Sequence, residues 1–368
     1  MVLNNGGRYM KRRLIVSLIS LFVLFSFVFN VSALDLSTAN SKYEQAAEVF
    51  AKRISKDITI FSDWKSVTLS DELYLYNETG DSIKAVLYEV YCNGVNSGYI
   101  IVDYSTINII EFSTDASPYG TLLASYKKEK GLSRNMGEYC VYSPGVHAYA
   151  AKTSSASKYV VYNFVDDQSV SIDLSVDKSI STYSLNNTQI TPLSTGVHSK
   201  ILSGVPDANY TTSCIPTAIG NVIGYWDTHG YSNLIVSPNT IYNAIAEINT
   251  NLIAACGSNT NNAGIPTATQ NYCRAAGRYP NNFTVTNVTN PSYSTFTTQI
   301  TNNRPTLVGF ASGGPYVGAH MTAGVGYYYD DAFPNEKYIY VHDAWSSTSV
   351  NYFVLWGSYN DFISKIVP

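Results

Sequence analysis

Residues 213–226 read SCIPTAIGNVIGYW and place a single cysteine, Cys214, at the mouth of an apolar helix. Ile215, Ala218, Ile219, Val222, Ile223 and Trp226 recur every three or four positions, so one face of this helix belongs in a core. Pro216 suits the first turn, where a missing N–H costs nothing. Gly230, after His229, is a stop signal. Cys214 therefore stands at or just before the first helical residue. Unpaired N–H groups and the positive end of the helix dipole favour an anion there and populate a thiolate. A small buried side chain is the other reading of the same cysteine. The choice depends on whether the chain supplies a base.

Five histidines are available. His147 lies in the first half, His198 in a polar stretch, and His229 at the wrong end of the helix, where a dipole contact explains it. His320 stands in GAHMTAGVGY (318–327), after small residues and before a strand broken by glycines. Such glycines allow close approach by another element, as a thiol-bearing helix end requires. YIYVHDAW (338–345) reads as a second strand, separated from the first by the turn-rich DDAFPN (330–335). The pair forms an antiparallel hairpin in which His320 starts one arm and Asp343 ends the other. An Asp beside a His fixes its tautomer and stabilises the imidazolium. His342 points to the opposite face. His320 is the preferred base, and the alternative for Asp343 is a plain turn residue.

The 368 residues leave room for two or three domains, and 45% apolar content suffices for packed cores. Only 14% are charged and the net charge is −4, with no basic run beyond the first segment, which argues against a nucleic-acid partner. Lys11-Arg12-Arg13, the apolar run 14–29 and Val31-Ser32-Ala33 form the three-part pattern of a signal peptide over 1–33, cut after Ala33. A membrane anchor is the alternative, but a span needs roughly 20 residues. Met10 is an alternative start to Met1. No later segment suits a membrane span, so no membrane association is expected after signal removal. Export allows disulfides among Cys92, Cys140, Cys214, Cys256 and Cys273. Pairing within each half, Cys92 with Cys140 and Cys256 with Cys273, leaves Cys214 over. No spacing suggests zinc, and no metal or organic cofactor is implied.

Ser41-x-x-Glu44 has capping-box form and opens a helix over 41–55. Strand-like runs follow at Glu72–Tyr76, Ile83–Tyr91, Gly98–Asp103, Ile107–Phe112, 139–150 and 158–164. Residues 34–170 thus read as an α+β domain. Residues 171–200, rich in Ser, Thr and Asn, read as a linker. Residues 201–368 read as a second folded unit.

The ordered set Cys214, His320 through Gly326-Tyr327, and Asp343-Ala344-Trp345 resembles the papain-like cysteine peptidases. The Cys-x-Pro-Thr-Ala opening and the final Asp are similar to the bacterial C39-like branch, which includes bacteriocin-leader peptidases. The resemblance covers about 200–368. It implies an α+β fold, with a papain-like C-terminal domain (a central helix packed on an antiparallel sheet) preceded by a separate α+β pro-domain. It implies a secreted cysteine endopeptidase in which Cys214 is nucleophile, His320 base and Asp343 its orienter, with Trp345 shielding that pair from water. The family usually carries a Gln before the Cys to bind the oxyanion. This chain has none between His198 and Cys214, and Asn209 takes the role. Tyr88–Tyr91 through Gly98–Val102 resembles strands of streptopain-like pro-regions, so the N-terminal domain is expected to inhibit its own enzyme in a zymogen, or to be a permanent binding domain. The expected setting is outside a Gram-positive bacterium, and the expected partner a protein or peptide substrate. An acyl-transferase, transglutaminase-like or leader-processing enzyme and an inert secreted binding module are the alternatives. Cleft loops are expected at Asn251–Asn262 and Ala311–Val317.

Overall fold

The computed structural model describes residues 42–123, 138–143, 146–152, 158–163, 169–173, 196–209, 213–235, 240–275, 277–279, 283–311, 319–343, 351–357 and 359–368. The chain divides into Met1–Gln45 and Ala46–Pro368. The first unit contributes only the opening of helix α1 (42–57) to the described residues. The signal-peptide expectation for 1–33 lies outside them, and no described helix is long and apolar enough to cross a membrane. All that follows concerns the second unit.

Helix α1 buries Ala47, Phe50, Ala51 and Ile54 at helical spacing. The meander follows as β1 (Thr68–Leu69), β2 (Leu73–Tyr76), β3 (Ile83–Cys92), β4 (Val95–Asp103) and β5 (Ile109–Ser113). Asn93 and Gly94, at φ 52° and 78°, make the two-residue β3–β4 turn, where positive φ matches strand twist. The single run read over 139–150 is two strands, β6 (Tyr139–Ser143) and β7 (Val146–Lys152), followed by β8 (Lys158–Asn163) and β9 (Ser169–Asp173).

The stretch 171–200, expected as a linker, needs correcting at both ends. Residues 171–173 finish β9, and Val197–Ile201 form β10. β10 pairs antiparallel with a later strand, Val197 opposite Asp330 and Ile201 opposite Gly326. Its residues are largely exposed, so no apolar alternation marks it as a strand.

The C-terminal half holds α2 (Cys214–Thr228), α3 (Ile241–Cys256), α4 (Ile265–Arg274), β11 (Thr284–Thr289), α5 (Tyr293–Thr301), β12 (Thr306–Phe310), β13 (His320–Asp330), β14 (Lys337–His342), β15 (Asn351–Leu355) and β16 (Phe362–Val367). Helix α2 packs on β12 and β13, and α3 packs on α2. That double cover explains why Ile215, Ala218, Ile219, Val222 and Ile223 are all buried. A helix on an antiparallel sheet is the architecture expected for this half.

One feature departs from the expected pair of separate domains. The order β11-β16-β12-β13-β14-β15-β5-β4-β3-β2-β6-β7-β8-β9 runs through both halves. The junction is β15 against β5, with Phe353 opposite Phe112 and Val354 opposite Glu111. The Phe112 and Phe353 rings stack at 4.9 Å and 2°. Phe50 and Phe61 close over Phe112 at 4.7 Å and 5.3 Å. Pairing with β5 satisfies main-chain groups that an exposed β15 edge would leave open.

Candidate active site

Cys214 is the first residue of α2, and Ser213 before it is extended at φ −164° and ψ 154°. Thr217 Oγ1 donates to the Ser213 carbonyl at 2.8 Å, and Ser213 Oγ donates to Asn259 O at 3.1 Å. The expected loop Asn251–Asn262 is therefore half helix, since 251–256 complete α3, but its Asn259 does lie against the residue before the thiol. Of the Ala311–Val317 loop only Ala311 is described.

The far end of α2 is held by two side-chain bonds. Tyr225 Oη donates to Asn303 O and Trp226 Nε1 to Ile366 O, both at 3.1 Å. These acceptors lie by the start of β12 and the end of β16. Cys214 is about 18 Å back along the axis at 1.5 Å per residue. β12 ends at Phe310, directly opposite His320. These bonds place the far end of α2 beside the start of β12, the end of that strand away from His320.

His320 opens β13 and is buried. Its Nε2 lies 2.7 Å from the main-chain carbonyl of Asp343. A carbonyl only accepts, so Nε2 carries the proton and Nδ1 of the neutral ring is the basic nitrogen. Burial pushes the His320 pKa down to about 4, opposed by the Asp343 carbonyl bond. The contact described here is to the main chain of Asp343, where the sequence reading expected the carboxylate to orient the ring. The Asp343 side chain is fully buried. Its charge helps hold the phenols of Tyr99 and Tyr352 protonated, although burial is the main cause.

The hairpin is as expected, with Ala323 opposite His342 and Tyr329 opposite Lys337. The close approach at its glycines is made by other elements than the thiol-bearing helix. A Cβ on Gly324 would meet Phe296 of α5 at 2.5 Å, and one on Gly326 would meet the Lys200 carbonyl of β10 at 2.8 Å. His342 does face away, with Nδ1 donating to Pro206 O at 3.0 Å. His229 closes α2 and donates from Nδ1 to Tyr225 O at 2.8 Å, the dipole-end role expected of it. His198 is exposed and stacks on Tyr329 at 4.5 Å. Asn209 is half-buried and follows Ala208, whose N–H donates to Asn221 Oδ1 of α2 at 3.0 Å. Trp345 lies outside the described residues.

The within-half disulfides are not formed: Cys92, Cys256 and Cys273 are thiols. Cys92 Sγ donates to Asp63 O at 3.3 Å and Cys256 Sγ to Ser258 O at 3.2 Å. Among the described residues no cluster of three His, Cys, Asp or Glu side chains could hold a metal ion.

Residues 197–362 match the Peptidase_C39 like family. The match supports a papain-like cysteine peptidase for this segment, acting on protein or peptide substrates. It spans α2, β13, β14 and the residues between them. No curated protein matches the chain.

From its position alone His147 is a first-half residue with no part in the site. In the structure it is fully buried, with Nε2 2.8 Å from Glu111 Oε1. The same carboxylate accepts from Tyr99 Oη at 2.8 Å and Tyr142 Oη at 3.1 Å. The His147 ring lies 6.1 Å from that of Tyr352 on β15. The N-terminal strands therefore fold a polar centre over the start of β15, one strand from Asp343. No periodicity announces such a centre.

Proposed function

We propose that the chain is an exported cysteine endopeptidase precursor in which Cys214, His320 and Asp343 act together and the N-terminal half holds the enzyme silent. The observation that carries this reading is the His320–Asp343 contact at 2.7 Å, made where β13 begins, on the strand against which the helix opened by Cys214 packs. With Nε2–H engaged, Nδ1 is the atom available to take the Cys214 proton. The thiolate attacks the peptide carbonyl carbon, and the carbonyl π electrons move to oxygen. That oxyanion is held by the Cys214 N–H and the Asn209 amide. Collapse breaks the C–N bond, and His320 returns its proton to the leaving amine. Water, deprotonated by the same Nδ1, then cleaves the thioester to release the acid and restore the thiol. Trp345 would keep water from the His–Asp pair.

The silent state is supported by the burial of His320. An imidazole that resists protonation down to about pH 4 is a poor acceptor for the thiol proton at neutral pH. Tyr99 of the N-terminal half is close enough to Tyr352 and Asp343, and Glu111 to Tyr352, for their charges to interact. Cutting between 34 and about 200 and removing the N-terminal half would free the site.

Alkylation of Cys214 by iodoacetamide tests the reading. It should be slow in the intact chain, rapid near neutral pH once the chain is cut and its N-terminal half removed, and slow again in the same form of His320→Ala. Sequencing the N-terminus of the active species locates the cut. Labelling of the processed form at an ordinary thiol rate, with or without His320, refutes the proposal.

A further inference from the structure

The strap that leads into α2, residues 202–209, is pinned at four points. Leu202 N–H donates to Val325 O of β13 at 2.8 Å. Pro206 fills a notch at Gly224 of α2, where a Cβ would stand 2.6 Å from Pro206 Cγ. The Pro206 carbonyl accepts from His342 Nδ1 on β14 at 3.0 Å, and Ala208 N–H donates to Asn221 Oδ1 at 3.0 Å. The strap thus ties the helix that Cys214 opens to the strand that ends just before Asp343. Asn209 is the next residue after the last pin.

Two of the pins are made by side chains of the elements the strap crosses, Asn221 of α2 and His342 of β14. Asn221 is fully buried in an apolar helix, and its Nδ2 has no acceptor among the described residues. A buried donor left unmet is destabilising, a cost a leucine there would avoid. His342 sits next to Asp343 yet turns its ring to the strap. Tyr340 lies 6.2 Å away, Asn351 is its strand partner, and the charge of Asp115 is close.

We infer that Asn221 and His342 are positioning residues, which fix the strap so that the Asn209 amide stands at the oxyanion. The inference rests on the cysteine peptidase reading above. Neither residue need touch substrate. A donor displaced by about 1 Å loses much of the 10²–10³ in rate that an oxyanion contact supplies.

The test uses full-length protein incubated until its rate of peptide hydrolysis is constant. Asn221→Leu and His342→Leu should each lower kcat about 10- to 100-fold, with KM changed less than about twofold. They should weaken a peptide-aldehyde inhibitor, whose adduct carries an oxyanion, by a similar factor. Iodoacetamide forms no oxyanion, so its rate at Cys214 should not change. His342→Asn keeps an N–H near the Nδ1 position and should restore most of kcat. If Asn221→Leu does not fold, the half-buried His342 pair decides. Unchanged kcat in His342→Leu overturns the inference, as does a parallel fall in kcat and alkylation, which marks general damage. A wild-type protein that hydrolyses no peptide and alkylates as a simple thiol defeats the enzyme reading itself, and this inference with it.

Discussion

Acidification should weaken the intact chain through His320. In the fold its pKa lies near 4, against an ordinary 6.5, because burial disfavours the imidazolium. As pH falls the unfolded chain binds this proton first. The stabilisation is therefore complete above pH 6.5, declines between 6.5 and about 4, and is gone below. At about 1.4 kcal/mol per pH unit, the gap is worth ~3 kcal/mol. The ring is almost wholly enclosed, so solvent screening takes little from that figure. Urea unfolding at pH 7 and pH 4 measures it, provided His320→Gln is run alongside to remove what other groups contribute. Wild-type protein should lose ~3 kcal/mol more than the variant over this range. Equal losses in the two proteins would show that His320 is not buried neutral, and the argument for a silent site would go with it.

Truncating the ring at the strand junction should be costly. Phe112→Ala removes a side chain stacked on Phe353 and edged by Phe50 and should lower stability by about 3–5 kcal/mol, seen as a fall in the urea midpoint. A loss under about 1 kcal/mol would mean the junction is loosely packed. Cys273, buried and with its pKa raised to about 12, should stay unalkylated at pH 8 until denaturant is added. Labelling in the native protein at the rate of an exposed thiol would contradict that burial.

Local order was legible in the residues; long-range partnership was not. The period of Ile215 to Trp226 located α2, and the Gly- and Tyr-rich runs around 320 and 340 located the β13–β14 hairpin, because both signals lie within one element. β10 carries no signal of its own because its strand character comes from pairing with β13 and not from its composition. The β5–β15 junction joins residues some 240 positions apart, and alternation within either strand is silent on its partner. His320 and Asp343 were readable as neighbours from hairpin geometry, but not the main-chain carbonyl as the contact. Asn221 is hidden for a simpler reason. Among isoleucines and valines it interrupts the pattern without indicating what it holds.

The continuous sheet separates two events that are easily treated as one. A protease nick between β9 and β10 would sever covalent connectivity yet leave every hydrogen bond of the β5–β15 ladder intact. The fragments would run apart in detergent and travel together under native sizing. On the precursor reading proposed above, activity would then lag behind scission by the time the zipper takes to peel, and kinetics that follow the cut would miss the step that sets the delay.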